Sequence, residues 1–347
     1  MKTGWVFDER FLWHDSGTAA GTRGPGGWIA PGRPFERPEV AARTRDLVAA
    51  SGLPLVGLPA RRATDAELLR VHDAAWLKTL ERTAAAGGGS AAVNVPVGVD
   101  SVDIARLAAG GAIAAVDAVL DDVVDNAYCL LRPPGHHATP SAGRGFCLLN
   151  NVAVAVAAAR ARGVDRVAVV DWDVHHGNGT QDAFSGDAAV LTVSLHQDRL
   201  FPADSGGIDE NNAANRNVPL PPGCGEGAYL EAMRTVVVPA VRAFAPDLVV
   251  VACGFDASAL DPLGRMQLRA SGFARLARAV LDVCPRVVCC HEGGYSEYYV
   301  PFCVVAVLEE LSGVHTGVGD PYFPPDRELA YDELQEHQRR AIEAARG

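Results

Sequence analysis

Lysine is nearly missing from this chain: Lys2 and Lys78 are the only two, and arginine supplies the remaining basic charge. Against 31 basic residues stand 42 acidic ones, giving a formal charge of −11 and a pI near 5.4. No basic patch is available to displace counterions from nucleic acid or from an anionic membrane, so neither is expected as a partner. No apolar run reaches membrane-spanning length without a Gly, Pro or charge breaking it. The opening Met1-Lys-Thr-Gly-Trp-Val-Phe lacks a charged segment followed by a long apolar run and does not read as a signal peptide, so a cytoplasmic location is expected. The eight cysteines contain no C-x-x-C pair and sit mostly in apolar, strand-like runs. They read as small buried hydrophobes, not as disulfides or a thiolate zinc site.

What is present is apolar. With 48% hydrophobic residues in 347, the chain can bury one large core or two modest ones. From about residue 127 it alternates strand-like and helix-like segments: strands at 127–131, 166–171, 190–195, 247–252 and 286–290, helices at 151–162, 226–244, 268–282 and 302–312. Earlier strands are expected at 4–7 and 55–58, and helices at 34–51, 74–85 and 101–124, the last interrupted at Gly110-Gly111. Such alternation predicts a single α/β domain, a parallel β-sheet covered by helices on both faces. Residues 1–320 form that domain and 321–347 a tail, helical over 332–344. The Gly- and Pro-rich loop from 14 to 34 is long for a connector. It could cap a channel or join a neighbouring subunit in a homo-oligomer, and the sequence leaves both open.

In open α/β sheets ligands collect beyond the carboxyl ends of the strands. Four expected strands run straight into polar, turn-rich segments: Arg132-Pro-Pro-Gly-His-His137, Asp171-Trp-Asp-Val-His-His176, Gly254-Phe-Asp256 and Glu292-Gly-Gly-Tyr295. Extended spacing puts Asp171, Asp173 and His175 on one side, with Trp172 and Val174 on the other. Buried Asp and His can merely satisfy a strand end, and Asp256 alone would be a turn former. Together Asp173, His175 and Asp256 make three protein ligands with a position left for water or substrate, the open arrangement of a catalytic metal site. Pro133-Pro-Gly fixes a rigid turn before His136 and His137. One of these imidazoles can move a proton while the other stays charged, provided Asp171 and Asn178 hold their second nitrogens separately. Tyr295, after two glycines, could donate to an oxyanion or simply be a core aromatic. Gly145-Phe146 and Phe201 fall in loops that could wall a narrow channel. His72, His196 and His291 read as packing or supporting groups, His14, His315 and His337 as surface, and His176 as ambiguous.

These motifs, together with Gly145-Phe-Cys-Leu-Leu-Asn-Asn151 and Ser194-Leu-His196, resemble the histone deacetylase and acetylpolyamine amidohydrolase superfamily over nearly the whole chain, from Val6 to about Val314. Asn178, Glu292 and Asp261-Pro-Leu-Gly264 look like its class II branch and the bacterial histone deacetylase-like amidohydrolases. The resemblance implies an arginase-like α/β fold and a zinc-dependent deacylase acting on an acetylated amine or peptide. In it, zinc is held by Asp173, His175 and Asp256. His137 serves as general base and then acid, His136 with Asp171 is its electrostatic partner, and Tyr295 polarises the acyl carbonyl. A potassium ion is implied at Asp171, Asp173, Ser194 and the main-chain oxygens of His175 and Leu195. A second, less closely matched one is implied at Phe184, Asp187 and Val190. Leu263 occupies a position that is acidic in some polyamine deacetylases, which points the channel toward an acyl-lysine-like arm. An acetylpolyamine or other small amide is the alternative substrate, and a non-catalytic acyl-binding module the alternative of another class.

Overall fold

Val167-Ala-Val-Val-Asp171 is buried along its entire length, as a β-branched run must be if helices cover both faces of its sheet. The computed structural model describes residues 1–18, 23–324 and 332–346. The strands are β1 (Thr3–Val6), β2 (Leu55–Leu58), β3 (Gly89–Ala92), β4 (Val95–Val97), β5 (Asn126–Cys129), β6 (Val167–Asp171), β7 (Val190–Gln197), β8 (Asn215–Leu220), β9 (Leu248–Cys253) and β10 (Val287–His291). Eight of them form one sheet in the order β2-β1-β5-β10-β9-β6-β7-β8, while β3 and β4 make a separate antiparallel pair. Every pairing in the large sheet is parallel. All its strands therefore end on one rim.

The helices are α1 (Pro38–Ser51), α2 (Asp65–Leu68), α3 (Ala74–Ala85), α4 (Ser101–Leu120), α5 (Asn151–Ala161), α6 (Asn178–Ala183), α7 (Glu226–Ala232), α8 (Val238–Phe244), α9 (Ala270–Leu281), α10 (Val300–Ser312) and α11 (Glu336–Arg346). Alternation along β6 divides the core. Ala168 and Val170 face residues of α1, α7, α8, α9, α10 and α11, whereas Val167 and Val169 face α4 and α5. A third cluster under α3 includes Trp76, Leu80 and Ile113. The helix α11 buries Ile342 and Ala345 in the first of these cores.

Several local expectations differ from the structure. The 226–244 segment is helical throughout, but a π-turn at Met233–Val237 separates α7 from α8. Helix α1 starts only at Pro38, where the missing N–H costs nothing. The hairpin β3–β4 and the edge strand β8 were not expected. Gly-Ser-Ala-Ala has weak strand propensity, and Asn215-Arg-Asn-Val-Pro-Leu220 carries a proline that only an edge strand tolerates. His14 is buried instead of on the surface, its Nδ1 2.9 Å from Ser101 Oγ. Nor does α4 break at Gly110-Gly111: Gly110 admits the chain of the 61–63 segment, and Gly111 packs toward Val6 and Ala60. A Cβ on Gly110 would lie 1.8 Å from the Arg61 carbonyl oxygen, beside the bond from Ala63 N–H to the Arg106 carbonyl. Gly110→Ala should therefore lower the urea midpoint, overpacking of about 1–3 kcal/mol outweighing a helix-propensity gain of about 1 kcal/mol. An unchanged or raised midpoint would show that α4 has room there.

Candidate metal centre and acyl tunnel

Beyond Asp171 the strand ends, but its alternation persists for four residues. Trp172 and Val174 continue into the core, and the acidic side chains between them turn back on their own backbone. Asp171 Oδ1 accepts the Asp173 N–H at 3.0 Å, and Asp173 Oδ1 accepts the His175 N–H at 2.9 Å. Asp256, following β9, accepts the Val174 N–H through Oδ1 at 2.8 Å. The two segments meet at His175 Nδ1, which lies 2.9 Å from Asp256 Oδ2 and 3.1 Å from Asp173 Oδ1. All three side chains are buried, with ligand atoms within 4.8 Å of one another.

This donor set fits a divalent cation. One imidazole and two carboxylates converge with no arginine or lysine among them, and two glycines leave the space: a Cβ on Gly254 would come within 2.2 Å of Asp173 Oδ2, and one on Gly293 within 2.2 Å of Asp256 Oδ2. Nitrogen with oxygen in a tri-ligand site suits zinc. Burial and the Asp173 charge together push the Asp256 carboxyl up to about 7, a measure of how strongly the pair of carboxylates calls for a cation.

The two adjacent histidines have different partners. His136 Nδ1 lies 3.0 Å from Asp171 Oδ2, and His137 Nδ1 lies 2.9 Å from Asn178 Oδ1. Burial opposes charge on His136, but Asp173 and Asp171 outweigh it and raise its pKa to about 10. Burial and the neighbouring His136 and His175 cations hold His137 well below the usual imidazole range. Their turn is fixed from outside the pair: Glu292 Oε2 accepts the N–H groups of Gly135 at 2.6 Å and His136 at 3.0 Å. The sequence places Glu292 in a polar segment at a strand end but assigns it no role beyond a family signature. Its position at a strand end before Gly-Gly was the available signal.

Above the metal ligands lies a cavity of about 200 Å³ lined by Asn94, His137, Gly145, Phe146, His175, Leu200, Phe201, Leu263 and Tyr295. The Phe201 ring meets His137 edge-on at 4.9 Å, and Phe146 meets Tyr295 at 5.9 Å. Gly145 adopts φ +53°, and a Cβ there would fall 2.7 Å from the His137 ring and 2.8 Å from Phe201. Every channel residue expected from the sequence thus lines one cavity. Asn94 and Leu200 were missed. Asn94 sits in the unexpected β3–β4 hairpin, where its carbonyl accepts the Phe146 N–H at 2.7 Å. Ser194, opposite Asp171 in the β6–β7 register, is buried, its Oγ 3.0 Å from His196 Nδ1; Leu195 packs in the core. His176 bonds Ser205 Oγ at 2.9 Å and Gln181 Oε1 at 3.1 Å, away from the cavity lining.

The model of the histone deacetylase domain matches residues 34–311. This chain belongs to the histone deacetylase family. A histone deacetylase-like amidohydrolase of Pseudomonas aeruginosa is 50% identical over 336 residues, covering 92% of this chain and 88% of its own. A probable deacetylase of Archaeoglobus fulgidus is 36% identical over 328 residues, covering 90% and 87%. The crystal structure of the HDA15 HD domain covers 99% of this chain and 95% of its own, with a TM-score of 0.88 at 31% identity. As a histone deacetylase relative the chain is a hydrolase, an amidohydrolase of the deacetylase kind. Among its described residues no helix is long and apolar enough to cross a membrane.

The glycine cradle gives a direct test of the metal centre. Gly293→Ala should weaken zinc binding by about tenfold or more in competition with a chromophoric chelator, since displaced supporting groups commonly cost that much. Undiminished affinity would place the ion away from Asp173 and Asp256.

Proposed function

We propose that this chain hydrolyses an N-acetylated or short N-acylated primary amine, of acetyl-lysine type, at a zinc centre held by Asp173, His175 and Asp256. The observation that carries the proposal is the unequal partnering of His136 and His137 at the floor of an apolar tunnel. Zinc in that site supplies Lewis acidity toward the amide carbonyl and toward water.

The protein's own part follows from its hydrogen bonds. Asn178 Oδ1 is an acceptor, so His137 carries its proton on Nδ1 and keeps the Nε2 lone pair for the tunnel. His137 takes a proton from the attacking water and passes it to the leaving nitrogen as the C–N bond breaks, giving the amine and the carboxylic acid, between which the second water proton then moves to leave ammonium and carboxylate. His136, charged through Asp171, discourages His137 from holding a second proton and so speeds its release. Tyr295 donates its O–H to the developing oxyanion.

The walls select the substrate. Phe146, Phe201, Leu200 and Leu263 offer an alkyl arm contact and no countercharge, which favours acetyl-lysine over a cationic acetylpolyamine. Asn178, Glu292 and the Asp261 turn support the class II branch. Buried Asp171 and Asp173, with Ser194 facing Asp171, support a potassium ion that also uses main-chain oxygens of His175 and Leu195. Phe184, Asp187 and Val190 remain the candidates for a second one. The catalytic unit comprises residues 1–320, the partly helical tail docking on it through α11, and the protein works in the cytoplasm.

Turnover of a fluorogenic acetyl-lysine substrate and of an acetylpolyamine by the zinc-loaded protein should favour the former and vanish in His137→Ala. Preference for the polyamine would overturn the substrate class, and a fully active His137→Ala would overturn the base. The pH profile gives a second check. Because His137 acts as the neutral base and its pKa is depressed, the acid limb of kcat/KM should lie below 6.5. Asn178→Asp puts a carboxylate against Nδ1, stabilises the imidazolium, and should move that limb upward by about one unit or more. An unmoved limb would mean that another group sets it.

A further inference from the structure

Tyr295 follows two glycines, of which only the first is fixed. Gly293 donates its N–H to Asp173 Oδ2 at 2.8 Å, and its carbonyl accepts the Phe255 N–H at 2.6 Å. Order returns at Ser296, whose carbonyl accepts the N–H groups of Tyr299 and Val300 at the start of α10. Between these anchors Gly294 stands at φ +141°, a conformation that glycine alone adopts freely. Among the described residues the Gly294–Tyr295 segment makes one hydrogen bond: Tyr295 N–H to Asp261 Oδ2, at 2.7 Å. The Tyr295 ring also meets aromatic edges, from Phe35 at 6.5 Å and Phe146 at 5.9 Å, and Gly294 packs beside Phe255 and Val300. Such contacts are non-directional and leave the Asp261 carboxylate as the polar anchor of the Tyr295 main chain among the described residues.

The second oxygen of Asp261 is used elsewhere. Its Oδ1 accepts the Leu263 N–H at 2.8 Å and the Gly264 N–H at 3.4 Å, closing the turn that carries Leu263 into the tunnel wall. That turn rests on the metal ligand's own backbone: a Cβ on Gly264 would lie 2.2 Å from the Asp256 carbonyl oxygen. One carboxylate therefore joins the wall at Leu263, the strand end that supplies Asp256, and the glycine joint before Tyr295.

We propose that Asp261 is a positioning residue for the reaction: its carboxylate holds Tyr295 turned into the tunnel and couples that placement to the Leu263 wall. Without it the Gly294 joint lets the phenol leave the carbonyl. The inference rests on Tyr295 being the oxyanion donor, so the test separates the two. Four proteins are compared as zinc-loaded full chains: the parent, Tyr295→Phe, Asp261→Ala and the double variant, each also titrated with a hydroxamate chelator. Tyr295→Phe should lose about 10²–10³ in kcat, and Asp261→Ala about tenfold or more, with hydroxamate still bound. In the Tyr295→Phe background, Asp261→Ala should cost kcat little further, because the tether has no phenol left to position, and any effect through the Leu263 wall should fall on KM instead. Full parental kcat in Asp261→Ala, or a loss that repeats undiminished in the Tyr295→Phe background, would overturn the proposal. Near-normal turnover of Tyr295→Phe would instead overturn the oxyanion role, and with it any need for the tether. Should Asp261→Ala fail to fold, Asp261→Asn, which keeps one acceptor oxygen, is carried through the same cycle and judged by the same outcomes.

Discussion

Four carboxylates buried within one small volume set the terms for everything around them. Asp171, Asp173, Asp256 and Glu292 are each at most a few per cent exposed. Negative charge taken out of water is tolerated only where cations or N–H dipoles replace the lost hydration. The chain provides both. Backbone N–H groups of Asp173, Val174, His175, Gly135, His136 and Gly293 point at these oxygens, and His136 is pushed toward the charged form. Oriented peptide dipoles cost nothing to reorganise when charge moves, which is the property a hydrolytic site needs. The concentration of acid is thus at once a demand for a cation and the field in which two neighbouring imidazoles acquire opposite behaviour.

That separation of roles is the least intuitive feature of the site. His136 and His137 are adjacent in sequence, with ring centroids 3.9 Å apart, and both are buried. Chemistry alone would give them one pKa. A carboxylate beneath one and an amide oxygen beneath the other divide them, and both supports come from the eight residues that run from Asp171, the end of β6, to Asn178. The apolar tunnel above keeps bulk water from levelling the difference.

Much of this was legible before any coordinates. Parallel alternation, the Asp173–His175 spacing and the Pro-Pro-Gly turn before the histidines are signals that depend on neighbours in sequence, and they converge because parallel strands end on one rim. Other features were hidden for equally physical reasons. Glu292 acts on residues 156 and 157 positions away, a relation set by β10 lying beside β5 and unreadable from either segment. Asn94 reaches the tunnel from a hairpin whose Gly, Ser and Ala residues carry almost no strand propensity. His14 reads as a surface residue and is instead enclosed, because Arg132 draws its loop inward by donating to the carbonyls of Phe11 and His14 at 3.0 and 2.8 Å. Gly110-Gly111 was misread as a helix breaker because packing room and backbone freedom call for the same residue.

The strand order has a consequence in time. The last two strands of the chain, β9 and β10, are neighbours in the interior of the sheet, between β5 on one side and β6 on the other. While the chain is being synthesised, β2-β1-β5 and β6-β7-β8 are two separate ribbons, each with an open apolar edge, until residues 248–291 have emerged to join them. Unpaired edges of this kind are where nascent chains associate with one another. Between residue 220, where β8 ends, and residue 291, where β10 ends, the growing chain therefore holds two halves of a sheet, and the β9–β10 segment is the keystone that joins them.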